Sequence, residues 1–158
     1  MIEVLLNNDI EFPIPASLEQ SVRAIMADHG FTDGEISLAI VDDPTIHTLN
    51  REHLQHDYAT DVLSFVLDRS DTSIDGEVIV SCDTASNNAP EYEWTPQDEL
   101  LLYFIHGCLH LVGYDDHNDK DRAAMRAGEA KYLALAGVDP PEAHAQRVMA
   151  HSGEDPPE

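Results

Sequence analysis

The chain has 158 residues, 42% hydrophobic and 25% charged, which is the length of one domain and enough to bury a core without disulfide staples. Thirty-one acids against eight bases give a net charge of −23, which excludes a passive basic clamp on nucleic acid as the main mode of action. The longest wholly apolar run, Leu100–Ile105, is far too short to cross a membrane; no base precedes Arg23, so no secretory leader is readable; and two cysteines, Cys82 and Cys108, suit the reducing cytoplasm.

Val138–Glu158 holds five acids and one base, so most of the acidity lies on residues 1–137. Solubility through self-repulsion accounts for it, as does adaptation to a salty cytoplasm. Met1–Phe12 reads as a first strand. Ser17 and Gln20 make a capping box for a helix that buries Val22, Ile25 and Met26 and stops at Gly30. Glu35–Val41 alternates Ile36, Leu38 and Ile40 as a half-buried strand. Asp43–Pro44 supplies a cap and a first-turn proline for a helix through Leu54. Asp61–Leu67 and Glu77–Cys82 read as neighbouring strands, joined by a polar loop containing Asp71, Ser73 and Gly76. Thr95–Pro96 with Asp98 opens the most apolar helix, through Val112, and Gly113 ends it. A last amphipathic helix runs from Asp119 to Ala136 and closes at Gly137. Residues 138–158 read as a flexible C-terminal tail, which leaves 1–137 as a single small α+β domain with a mixed sheet packed by helices.

The chemistry concentrates in Ile105–His117. His106 and His110, four apart on a helix, project from one face one turn apart, where two imidazoles can share one zinc ion. Nine histidines make one such pair unsurprising by chance, so the surroundings matter. An apolar helix does not bury two histidines without partners. After Gly113 the chain can turn back and bring Asp116 or His117 to a third position, and three protein ligands plus water is the catalytic zinc pattern. Asp116 lies ten residues after His106 and His117 eleven, and the spacing leaves both open. Cys108 points off that face and reads as core packing. The two-histidine helix of metallopeptidases carries a glutamate after its first histidine, where this chain has Gly107, so a peptidase lacks its general base.

His106 to His117, read H-G-C-L-H-L-V-G-Y-D-D-H, resembles the signature H-G-x-L-H-L-x-G-Y-D-H of the YbeY family of bacterial metal-dependent endoribonucleases. Thr60–Phe65 (T-D-V-L-S-F) and Gly76–Ser81 (G-E-V-I-V-S) resemble two strands of the same family, in the same order. The resemblance implies a small α+β fold with one zinc ion at the end of a central helix. It implies single-strand-specific cleavage in 16S ribosomal RNA 3′-end maturation and ribosome quality control in the cytoplasm. Ribosomal RNA and a ribosomal protein or assembly factor are the implied partners, with no DNA and no membrane. The family's phosphate-contacting arginine has no gapless counterpart: Leu54 stands there, and Arg51 is the nearest base. The doubled Asp115–Asp116 is a second departure: a gapless match puts Asp116 where the family has its third histidine, which makes it the favoured third ligand, with His117 the alternative if the turn slips by one residue.

Other polar groups are weaker candidates. Thr60 and Ser64 suit phosphate contacts or a strand end equally, and His53, His56 and Asp57 read as solvated. An RNA enzyme of this charge should place its few bases at the cleft, so Arg51 or Arg69 is expected to edge the metal. A non-catalytic assembly factor with a structural metal is the alternative function, and a metallopeptidase a weaker one.

Overall fold

The computed structural model describes residues 1–8, 10–55 and 60–147. Four strands form one mixed sheet: β1 (Ile2–Asn7), β2 (Asp33–Val41), β3 (Val62–Arg69) and β4 (Ser73–Ser81), in spatial order β1-β2-β4-β3. β1 pairs with β2 and β2 with β4 in parallel, while β3 and β4 form an antiparallel hairpin, as expected for neighbouring strands. The turn between them is shorter than the sequence suggests. Ser73 and Gly76, expected in a loop, lie within β4, where Asp75 and Gly76 break the apolar alternation that would have marked it. At Gly76 a Cβ would stand 2.8 Å from Leu111 Cδ1, so the missing side chain makes room for the helix above.

The helices are α1 (Leu18–Asp28), α2 (Asp43–Leu54), α3 (Cys82–Asn88), α4 (Pro96–Leu111) and α5 (Asp119–Leu135). Caps differ from the sequence expectation in two places. Ser17 makes no side-chain cap bond, and α2 is capped by Asp42, which accepts from the Thr45 amide at 2.9 Å. Asp43 instead accepts from the Ser81 and Thr84 hydroxyls at 2.5 and 2.7 Å, tying α2 to α3. α3 itself, short and polar, carries no hydrophobic period by which the sequence could announce it.

α4 is the centre of the molecule. Thr95 caps it, and Leu100 to Ile105, Cys108 and Leu109 are entirely buried between the sheet and helices α1, α3 and α5. Burial pushes the Cys108 thiol up to about 12, as suits a core side chain. A smaller cluster of Ile46, Leu63 and Ile79 seats α2 on the other face. Contact between α4 and the sheet depends on Gly107: a Cβ there would lie 2.5 Å from Val78 Cγ1 and 3.1 Å from Val62 Cγ2. Gly107→Ala is therefore expected to lift the helix from β3 and β4 and destabilise by about 1–3 kcal/mol, seen as a lower urea midpoint. An unchanged midpoint would mean that the sheet yields.

Past Gly137 the chain does not leave the body where the sequence reading puts the tail. A one-turn helix, Glu142–Gln146, returns to the surface of α5, and His144 and Arg147 are buried. Residues 148–158 lie outside the described residues. Among the described residues no helix is long and apolar enough to cross a membrane.

Candidate metal centre

α4 ends in a left-handed turn. Gly113 takes φ 110°, and the Tyr114 amide bonds back to the Leu109 carbonyl at 2.9 Å. The return brings Asp116 beneath the two histidines. His106 Nε2 and His110 Nε2 stand 3.0 Å apart, and Asp116 Oδ2 is 3.5 and 3.4 Å from them. The edge of a tetrahedron with bonds of ~2.0–2.1 Å is about 3.3 Å, so the three atoms already mark one face of a zinc-sized polyhedron.

The ring orientations favour a cation. His106 Nδ1 donates to Glu129 Oε2 at 2.5 Å, and His110 Nδ1 donates to the Tyr114 carbonyl at 3.0 Å. With both Nδ1 atoms acting as donors, the two Nε2 lone pairs of the neutral rings face each other at 3.0 Å, an arrangement that repels unless a proton or a metal ion sits between them. His106 and Asp116 are buried and His110 is half-buried, so the cluster has one wetter side.

His117 lies at the exposed edge of the same turn, in a second group with Asp115 and Asp116 whose ligand atoms all lie within 4.8 Å of one another. Its Nε2 pairs with Asp115 Oδ1 at 2.8 Å and both side chains are exposed, while Asp115 also accepts from the Asp116 amide at 3.0 Å. The doubled aspartate thus divides its work: one carboxylate faces inward and the other holds His117 outward.

Behind the histidines lies a polar layer that the motif did not reveal. Glu129 on α5 is fully buried, with Oε1 3.0 Å from Arg126 Nε and 3.1 Å from His144 Nε2. Burial raises its carboxyl pKa, but contact with His106 and His144 outweighs that and holds it at about 2. The sequence did carry a signal. Arg126 and Glu129 lie among Met125, Tyr132 and Leu133 on the apolar face of α5, where charges are not left without partners.

Arg51 and Arg69 are the bases expected to edge the metal. Arg69 stacks on Phe31, its guanidinium 5.3 Å from the ring centroid. Arg51 is exposed in the last turn of α2, before residues 56–59, which lie outside the described residues together with His56 and Asp57. Two bases touch the site: Arg126 Nη2 lies 3.3 Å from His106 Nδ1 on its buried side, and Arg122 donates to the Asp116 carbonyl at 3.4 Å while pairing with exposed Asp119 at 2.6 Å. Thr60 is buried and donates to Asp61 Oδ1 at 3.3 Å, and His53 packs edge-on against Phe65 at 5.8 Å.

Burial lowers the His106 pKa, but the Asp116 and Glu129 contacts outweigh it, and the net shift is upward from 6.5. In metal-free protein, protonated His106 thus contributes stability that is full below 6.5 and lost as pH rises through its folded pKa. Ionised Glu129 contributes stability that is full above 4.5 and lost as pH falls toward about 2. Urea midpoints of chelated protein are expected to peak between those limits. Zinc binding should run oppositely to the His106 effect and strengthen with pH as the imidazoles deprotonate. A flat apo profile, or zinc affinity that ignores pH, would contradict this.

The chain matches known proteins over most of its length. The family model described as Endoribonuclease YbeY matches residues 6–137. A Rhodopirellula baltica protein named Endoribonuclease YbeY is 44% identical over 126 residues, which are 78% of this chain but 65% of that protein, just under two thirds of its length. A Chloroherpeton thalassium protein of the same name is 35% identical over 134 residues, covering 84% of this chain and 94% of its own. The solution structure of TM1509 from Thermotoga maritima superposes with a TM-score of 0.59 at 29% identity, over 86% of this chain and 89% of that one. The chain described here belongs to the endoribonuclease YbeY family.

Proposed function

We propose that this chain is a zinc-dependent endoribonuclease that cuts single-stranded RNA, acting on the 3′ end of 16S ribosomal RNA and in ribosome quality control in the cytoplasm. The observation that carries the reading is the convergence of two imidazole Nε2 atoms and one carboxylate oxygen, with both Nδ1 atoms tied outward. His106, His110 and Asp116 would hold one zinc ion, with His117 beside them on the exposed side. When bound, zinc supplies Lewis acidity toward a phosphodiester and makes water a better nucleophile.

The chain's own residues do the rest. Glu129 and the Tyr114 carbonyl fix the two rings, and the half-buried side at His110 is the one from which a phosphate would approach. Arg122 is the base on hand to meet that phosphate, since its pairing with exposed Asp119 is readily exchanged. Gly107 faces Val78 and Val62, so no glutamate fits where a peptidase would need one. A net charge of −23 favours a second reading, in which the chain binds a ribosomal protein or assembly factor and cuts nothing. On the enzymatic reading the same partner brings the RNA to the site.

The test uses a structured ribosomal RNA fragment with a single-stranded 3′ extension, incubated with wild type, Asp116→Ala and His117→Ala. Wild type and His117→Ala should cut within the extension and keep zinc through dialysis, and Asp116→Ala should do neither. If His117→Ala loses the metal and Asp116→Ala keeps it, the ligand is His117. Equal cleavage by all three folded proteins marks a contaminant and overturns the enzymatic reading, as does cleavage by none.

A further inference from the structure

We infer that His144, on the segment that follows the family-matched residues, is a positioning residue for the metal ligand His106 and acts through Glu129. The inference rests on the metal-centre reading and adds to it a part that residues 6–137 do not contain.

The segment is fastened at two points. Arg147 donates through Nη1 to Glu99 Oε1 at 2.9 Å and through Nη2 to Glu99 Oε2, a fork on the first turn of α4, and its guanidinium lies 4.0 Å from the Tyr92 ring centroid. Its carbonyl accepts from Arg126 Nη1 at 3.2 Å. These contacts anchor the segment to the same helix whose last turns carry the histidines. They also bring His144 in over Glu129, with only 3% of its surface exposed.

Glu129 has two oxygens with different tasks. Oε2 receives His106 Nδ1–H at 2.5 Å, while Oε1 lies 3.0 Å from Arg126 Nε and 3.1 Å from His144 Nε2. Neither Oε1 contact is aligned as a hydrogen bond, so Arg126 and His144 act by close packing and charge: they limit how the carboxylate turns about its last bond, and hence where Oε2 points and how the His106 ring stands. Without His144, Arg126 alone holds Oε1. His106 then samples orientations in which its Nε2 leaves the triangle formed with His110 and Asp116.

The experiment measures zinc affinity of the full chain by competition with a chelating dye at one pH, together with the visible spectrum of the cobalt-substituted protein. His144→Ala should weaken zinc ~10–100-fold, the usual cost of losing an outer partner, and alter the cobalt bands. His144→Gln places an amide donor where Nε2 stood and should restore both. His144→Asn places its amide near Nδ1 instead and should not, and this pair carries the comparison even where His144→Ala fails to fold. Wild-type affinity in His144→Ala or His144→Asn, or equal losses in the Gln and Asn variants, overturns the inference while leaving the metal centre intact. A wild type that takes up no zinc overturns both.

Discussion

Replacing His110 by alanine is expected to abolish zinc retention and, with it, RNA cleavage, while leaving the fold in place. His110 is half-buried, and its ring bonds to the Tyr114 carbonyl and faces His106 and Asp116, so its loss opens a solvated gap rather than a hole in the core. The effect on metal should exceed the ~10–100-fold typical of outer partners, because a ligand itself is removed. Equilibrium dialysis against buffered zinc, beside a cleavage assay on single-stranded RNA, reads both consequences. A folded His110→Ala protein that still holds zinc at wild-type affinity would contradict the assigned triangle.

Glu129→Ala is expected to have the largest effect on stability. It leaves His106, Arg126 and His144 facing a void where a buried carboxylate had joined them, and breaking such a pair costs about 3–5 kcal/mol. The urea midpoint of the zinc-free protein should fall accordingly, and zinc affinity should drop as well because the His106 ring loses its acceptor. Glu129→Gln keeps the volume but presents an amide among donors, so it should destabilise less and still weaken zinc. A Glu129→Ala midpoint equal to wild type would mean that the polar layer contributes nothing to the fold.

How these residues came to be legible, or not, follows from range along the chain. The central helix and its two histidines are local: apolar positions, a Thr-Pro cap and a four-residue spacing lie within Thr95–Gly113. The third ligand depends on how a turn closes. Spacing alone leaves Asp116 and His117 one residue apart; the structure brings Asp116 to the two histidines and sets the exposed His117 ring against Asp115. The sheet was legible as neighbouring strands but not in its bounds, since Asp75 and Gly76 conceal the start of β4. The polar layer was only half legible: Arg126 and Glu129 mark it on the apolar face of α5, but Glu129 meets His106 23 residues away and Glu99 meets Arg147 48 residues away, beyond any local pattern. Prolines after Gly137 resemble the start of a loose tail, whereas burial of His144 and Arg147 shows that the fold continues to the last described residue.

RNA cleavage by this chain is expected to require a metal held by this cluster. The most direct measurement follows cleavage of a single-stranded RNA by one preparation of the full chain in three states: as purified, after zinc is stripped by chelator and dialysis, and after one equivalent of zinc is returned. Cleavage should vanish on stripping and return with the single equivalent. Undiminished cleavage by the stripped protein would contradict the central claim.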